Sequence, residues 1–196
     1  MGKLSGLTCV VTGAAGGMGR HLAIQLSQDD CPIAICDIRS EALEETKRLC
    51  LKANPRAPLI STHICDVANE ESVTRFHAEV LEAHGGRVDL LINNAGIYSG
   101  ASFLKMPAER FQKVFDISIK GTILCTRLFL PDIVKSKRGY VANLSSINAL
   151  WCSLGPAKWP TRRPLQRPGL SRKKVVDVFR LQVLSGCTFN SQEQKT

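Results

Sequence analysis

The stretch Thr12-Gly13-Ala14-Ala15-Gly16-Gly17-Met18-Gly19 decides how the rest of this 196-residue chain is read. An apolar run, residues 7–11, leads into it, and a helix-patterned segment beginning near Met18 leads out. That setting gives the glycines physical roles. Gly13 lets the chain turn sharply off a strand end, in a conformation that a Cβ obstructs. Gly17 and Gly19 allow a phosphate and the neighbouring strand to come close to the helix start. The N–H groups at that helix N-terminus, helped by the helix dipole, are then free to receive a pyrophosphate. A glycine cluster alone reads as a turn, but one between an apolar strand and an amphipathic helix points to a dinucleotide.

Outward from the loop, strands and helices alternate. The strand over 8–12 is followed by a helix burying Leu22, Ala23 and Leu26, and a second apolar run, 33–36, ends at Asp37. A helix entered at a Ser40 cap carries Glu41, Glu44 and Glu45 in its early turns, where negative charge suits the dipole, and Asn54-Pro55 stops it. A third strand, 59–65, runs into Asp66-Val67, and Asn69 caps a helix whose apolar face is Val73, Phe76, Val80 and Leu81. The fourth strand, 88–92, leads into Asn93-Asn94-Ala95-Gly96. One long helix is expected over 107–129, entered at Pro107 and striped by Phe111, Val114, Phe115, Ile119, Ile123 and Leu124. A fifth strand, 140–144, ends at Ser145-Ser146. Near-continuous apolar strands alternating with helices predict a doubly wound α/β fold around a parallel sheet, Rossmann-like and incomplete at its C-terminal side.

In such sheets ligands bind beyond the C-terminal strand ends. Polar residues or glycines fall there five times: Gly13, Asp37, Asp66, Asn93 and Ser146. Asp37 lies 18 residues after Gly19, near the roughly 20-residue offset of a ribose-binding acid. A carboxylate there accepts the ribose hydroxyls and repels a 2′-phosphate, which favours NAD over NADP. Arg39 pulls the other way, since a nearby guanidinium can receive that phosphate. Asp37 also reads as a strand-end turn residue, and Asp66 equally as a loop acid near a helix start or an adenine contact.

These motifs, Thr12 to Gly19, Asp37, Asp66-Val67, Asn93-Asn94-Ala95-Gly96 and Asn143-Leu144-Ser145-Ser146, together resemble the short-chain dehydrogenase/reductase family over residues 4–150. The resemblance implies that Gly13, Gly17, Met18 and Gly19 cradle a cofactor pyrophosphate. It implies Asp37 on the adenosine ribose and Asp66 and Val67 beside the adenine. It also implies that Asn93, Ala95 and Gly96 support the central strand and meet the nicotinamide-side ribose. Ser146 matches the family's catalytic serine, which hydrogen-bonds the substrate oxygen. Ser118 stands where the family has an Asn, and its hydroxyl can still hold a relay water. The implied reaction is hydride transfer between NAD(H) and an alcohol or carbonyl carbon.

The family's proton carrier is a Tyr about 13 residues beyond the Ser with a Lys four later. Here those positions are Trp159 and Arg163, and the two tyrosines, Tyr98 and Tyr140, both precede Ser146. Trp has no proton of suitable pKa to exchange, and Arg is no ready substitute for Lys. Pro156, Pro160, Pro164 and Pro168 recur where the family has a helix, each costing about 3 kcal/mol in a helix interior. Turnover is therefore expected to be impaired, the alternative being a catalytically inactive nucleotide-binding variant or a frame-altered product.

Charge changes at the same boundary. Residues 1–150 hold 17 Lys+Arg against 15 Asp+Glu, whereas residues 151–196 hold 9 against 2, so most of the net +9 lies in the second part. The chain is accordingly divided into a dinucleotide-binding domain, 1–150, and a basic, Pro-rich, poorly ordered tail, 151–196. The tail reads as a nucleic-acid-binding arm, a disordered basic extension or the product of a shifted frame. The first is disfavoured for want of interleaved aromatics, and the last is preferred because composition, charge and motifs change together near Leu150. The 8 cysteines are scattered with no CxxC pair or zinc spacing, so no metal, no disulfide framework and a reducing, cytoplasmic setting are expected. No apolar run nears the roughly 20 residues that span a bilayer. The expected partners are a small alcohol or carbonyl substrate and, through helix 107–129, a second copy of the chain.

Overall fold

The computed structural model describes residues 4–98, 106–137 and 139–145. Its order is β1 (Cys9–Thr12), α1 (Gly17–Gln28), β2 (Ile33–Asp37), α2 (Ser40–Ala53), β3 (Ile60–Ile64), α3 (Glu70–Ala83), β4 (Leu90–Asn93), α4 (Ala108–Phe115), a π-helical turn (Asp116–Lys120), α5 (Gly121–Lys135) and β5 (Tyr140–Asn143). The expected tail, 151–196, lies outside the described residues.

The five strands form one parallel sheet in the order β3-β2-β1-β4-β5. Strand residues alternate between two cores, which is why the strands read as continuous apolar runs. Val11, Ile33, Ile35, Leu90 and Ile92 pack with Ala23 and Leu26 of α1 and Leu43 and Cys50 of α2. Val10, Ala34, Leu91 and Val141 point the other way, onto Phe76 and Val80 of α3 and Cys125, Phe129 and Ile133 of α5. Phe76 and Phe129 meet edge to face with ring centroids 5.5 Å apart, the geometry that the ring quadrupoles favour.

The chain runs outward from β1 through β2 to β3, then returns to place β4 on the other side of β1. The crevice between the C-terminal ends of β1 and β4 is thus the topological switch point, where open α/β sheets bind ligands.

Several local expectations are corrected. Ser40 is the first residue of α2 rather than its cap; Arg39 takes the cap position with no side-chain capping bond. The backbone N–H of Arg39 is instead accepted by Asp37 Oδ1 at 3.1 Å. The helix expected over 107–129 is not uniform, since a π turn interrupts it and α5 runs on to Lys135 through Pro131. Beyond that proline, Asp132 accepts from His77 Nε2 at 2.7 Å and Ile133 is buried. These tertiary contacts offset the roughly 3 kcal/mol that an interior proline costs. Phe111, Phe115, Ile119 and Ile123, expected as a packing stripe, are all exposed. By contrast Asn69 caps α3 as expected, accepting from Ser72 N.

Candidate functional site

A cavity of about 510 Å³ opens over the C-terminal ends of β1, β2, β3 and β4. Parallel strands in register finish on one edge, so Gly13, Asp37, Asp66 and Asn94, at or just beyond the strand ends, gather there. Three features give the cavity its shape.

The first is the interlock between the loops after β1 and β4. Gly13 has φ +67°, and a Cβ on it would stand 2.7 Å from Ala95 Cα, so both backbone conformation and space demand glycine. A Cβ on Gly19 would overlap the Gly13 carbonyl oxygen and the Asn94 side-chain nitrogen. Asn94 Nδ2 donates to the carbonyls of Thr12 at 2.8 Å and Gly13 at 3.0 Å, while Thr12 Oγ1 accepts from the N–H groups of Asn94 and Ala95. The loop after β1 is therefore held from behind by β4.

The second is the start of α1. Gly17 has φ +53° and no heavy atom within 4 Å of where its Cβ would be, so it faces open space. Gly16, at the N-cap, supplies no side-chain bond, and the first helical N–H groups keep their capacity to bind an anion.

The third is Asp37. Its side chain is 10% exposed. Oδ2 accepts from Ala15 N at 3.1 Å, and Oδ1 accepts from Arg39 N at 3.1 Å and Arg39 Nε at 3.3 Å. Arg39 also lines the cavity, with its side chain 62% exposed. A glycine floor, a free helix N-terminus and an adjacent carboxylate fit the pyrophosphate and ribose of a dinucleotide.

Gly13, Gly17, Met18, Asp37, Asp66, Val67, Ala95 and Gly96 all line this one cavity. Gly19 and Asn93 do not line it. Gly19 is buried under the loop, and Asn93 Nδ2 donates to Thr126 Oγ1 at 3.0 Å and Asn143 Oδ1 at 2.8 Å, tying β4 to α5 and β5. Asp66 serves as a loop acid too, its Oδ1 accepting from Ala68 N at 2.9 Å. Val67 meets α5 at Gly121, where a Cβ would lie 2.8 Å from Val67 Cγ2. Ser118 sits in the π turn, its Oγ 3.5 Å from the place of a Cβ on Gly96. The π turn thus carries Ser118 to the edge of the cavity, as such turns often do at functional sites. Ser146, Trp159 and Arg163 lie outside the described residues.

Sequence reasoning read Asn94 only as part of the Asn93-Asn94-Ala95-Gly96 motif and missed that its side chain holds the glycine loop. Adjacent residues at a strand end face opposite sides, so one of the pair had to turn toward the glycine loop. Cys65 was also missed. It lines the cavity, and a hydrogen bond with Cys36 holds its thiol below the ordinary range. Burial pushes the nearby Cys125 thiol up to about 12. Among the described residues no group of three or more His, Cys, Asp or Glu is arranged to hold a metal ion, and no helix is long and apolar enough to cross a membrane.

Comparison with known proteins places these features in company. A family model described as short chain dehydrogenase matches residues 7–155. Epidermal retinol dehydrogenase 2 of Mus musculus is 33% identical over 144 residues, covering 74% of this chain and 46% of the relative. The chain spans about half the length of the curated relatives it matches. NAD+-bound xylitol dehydrogenase superposes with a TM-score of 0.70 at 28% identity, over 76% of this chain and 56% of that one. A metagenomic short-chain oxidoreductase in complex with NADP gives 0.67 at 31% identity, over 74% and 65%.

Proposed function

The chain belongs to the short chain dehydrogenase family, and on that premise we propose that its cavity binds NAD(H), in preference to NADP(H), in an oxidoreductase site for alcohol and carbonyl substrates. The observation that carries this reading is Asp37 beside the glycine loop, its carboxylate reaching the cavity and its Oδ2 held by Ala15 N. Gly13, Gly17, Met18 and the α1 N-terminus would hold the pyrophosphate, Asp37 the adenosine ribose, and Asp66 and Val67 the adenine. Ala95 and Gly96 would meet the nicotinamide half, with Asn93 supporting the strand behind them. Bound there, the nicotinamide supplies the hydride donor or acceptor. Asp37 disfavours a 2′-phosphate by like-charge repulsion, and its ion pair with Arg39 at 3.3 Å keeps that guanidinium engaged.

Turnover in this chain is reduced. Ser146 would hydrogen-bond the substrate oxygen and Ser118 a relay water, but Trp159 stands at the proton carrier's position and Arg163 at the lysine's. Loss of a general acid–base removes about 10²–10⁴-fold of rate. The same substitutions favour a second reading, in which the chain is a nucleotide-binding variant without catalysis, its residues beyond Leu150 coming from a shifted frame. One uninterrupted reading frame through residues 150–170, shared by related genes, would overturn the frame argument. We place the protein in the cytoplasm, and we assign the exposed apolar stripe from Phe111 (53% exposed) to Ile123 (59% exposed) to pairing with a second copy.

The decisive experiment is a thermal-shift titration with NAD and NADP. A larger shift with NAD is expected, and the reverse order would sink the assignment of Asp37. A panel of secondary alcohols and ketones should give no measurable NAD-linked turnover. Robust turnover abolished by Ser146→Ala would overturn the impairment.

A further inference from the structure

Arg20 lies on α1, one residue beyond the glycine stretch, and does not line the cavity. Its guanidinium nevertheless reaches the loop from behind. Nη2 donates to the carbonyl of Ala15 at 2.7 Å and to that of Ala42 at 3.1 Å, while Nε donates to Thr46 Oγ1 at 3.0 Å. Ala42 and Thr46 both belong to α2. Thr46 is fully buried, and its hydroxyl donates in turn to the carbonyl of Ala14 at 2.8 Å. Two consecutive loop carbonyls are therefore tied to α2, one through Arg20 and one through Thr46.

The peptide groups of Ala15 are fixed on both sides. Its N–H is held by Asp37 and its C=O by Arg20. The residues Asp37, Ile38 and Arg39 lead directly into α2, whose first turn contains the Ala42 carbonyl that Arg20 grips. The clamp thus spans the loop and the helix that starts beside the ribose-side acid. A planar guanidinium suits this task because its donors leave in fixed, divergent directions, which a lysine ammonium cannot match.

We propose that Arg20, with Thr46, is a positioning residue that holds the Ala14–Ala15 backbone in the shape that receives a pyrophosphate. The proposal rests on the cofactor reading above. It makes a demand that a purely structural role does not: losing the clamp must weaken ligands that contain a pyrophosphate and spare those that do not.

Isothermal titration of the full chain with ADP-ribose and with adenosine separates the two. Arg20→Met should weaken ADP-ribose binding about ten-fold, the scale of one charge-assisted hydrogen bond, and leave adenosine within about two-fold. Arg20→Lys should fall between Met and wild type. Thr46→Val removes the second arm and the acceptor of Arg20 Nε while leaving the Nη2 bonds to Ala15 and Ala42 in place. It should act in the same direction, and decides the matter if Arg20→Met does not fold by circular dichroism. Equal losses for both ligands, or ADP-ribose binding unchanged in both variants, would overturn the clamp alone. Wild-type protein that binds neither ligand would overturn the cofactor reading, and the clamp with it.

Discussion

Replacing Gly19 by alanine sets two physical effects of opposite sign against each other. Gly19 is the third residue of α1 and has no positive φ, so helix propensity alone predicts that Gly19→Ala stabilises the protein by about 1 kcal/mol. Packing predicts the reverse. The new methyl would overlap the Gly13 carbonyl oxygen and Asn94 Nδ2 and stand 3.0 Å from Ala14 Cα. Gly13 O and Ala14 Cα are backbone atoms that cannot swing aside, and Asn94 Nδ2, a side-chain end, can move only by giving up its own hydrogen bonds. Overpacking of this kind costs about 1–3 kcal/mol. It also displaces Asn94 from its bonds to Thr12 and Gly13, each worth about 0.5–1.5 kcal/mol. Together the losses come to about 2–6 kcal/mol against a gain of about 1, so a net destabilisation of about 3 kcal/mol is expected. In urea, with a slope of about 2 kcal/mol/M, the unfolding midpoint would fall by about 1.5 M. Gly86→Ala is the control, because Gly86 has φ +74° with open space around it and should cost only about 1–2 kcal/mol from backbone strain. A Gly19→Ala variant as stable as wild type would refute the interlock between the β1 and β4 loops.

Other expectations follow from the same structure. Asp37→Ser removes the repulsion of a 2′-phosphate and frees Arg39, so the ratio of NADP to NAD affinity should rise by at least about ten-fold in paired titrations. Asp132 is 10% exposed in its side chain; burial alone would raise its pKa, but the hydrogen bonds from His77 and Lys135 bring it below the ordinary value. A depressed folded-state pKa gives stability present above the unfolded carboxylate value, near 3.9, and lost as pH falls through the folded one. Asp132→Asn should therefore cost about 1–3 kcal/mol at pH 7 and flatten the acid limb of a stability–pH profile below about pH 4. Asp89, fully buried at the opposite end of the sheet, accepts from Thr8 N and pairs with Arg87 through Oδ2. Asp89→Ala should lower stability by about 1–3 kcal/mol by stranding the Thr8 N–H, while leaving the NAD-to-NADP ratio unchanged.

The sheet was legible because its central strands β1, β2 and β4 are apolar on both faces, and Gly13, Asp37, Asp66 and Asn93 announce one edge. Chemistry hidden in side-chain direction was less legible. Asn93 and Asn94 are identical in type and adjacent, and only the pleat assigns one to the sheet and the other to the loop. The π turn had a faint signal. Phe111, Phe115, Ile119 and Ile123 recur every four residues, and at 3.6 residues per turn each step drifts about 40°, so a stripe that stays together over this length requires a wider turn somewhere along it. The continuation past Pro131 had none, because the contacts that sustain it come from His77 on α3, 55 residues earlier in the chain. Ser146, Trp159 and Arg163, which bear on catalysis, were read from sequence alone.

The bond between Asp37 Oδ2 and Ala15 N ties the acid at the end of β2 to the glycine loop after β1. In the cofactor reading, a ligand carrying both a ribose and a pyrophosphate meets groups whose mutual spacing is already set, so its second anchor docks at a high effective concentration. Fragments carrying only one of the two parts forgo that gain. The site would then measure the length of its ligand as well as its chemistry, and the shortfall of mixed fragments against the intact dinucleotide would report how well the spacing of the two anchors matches the ligand.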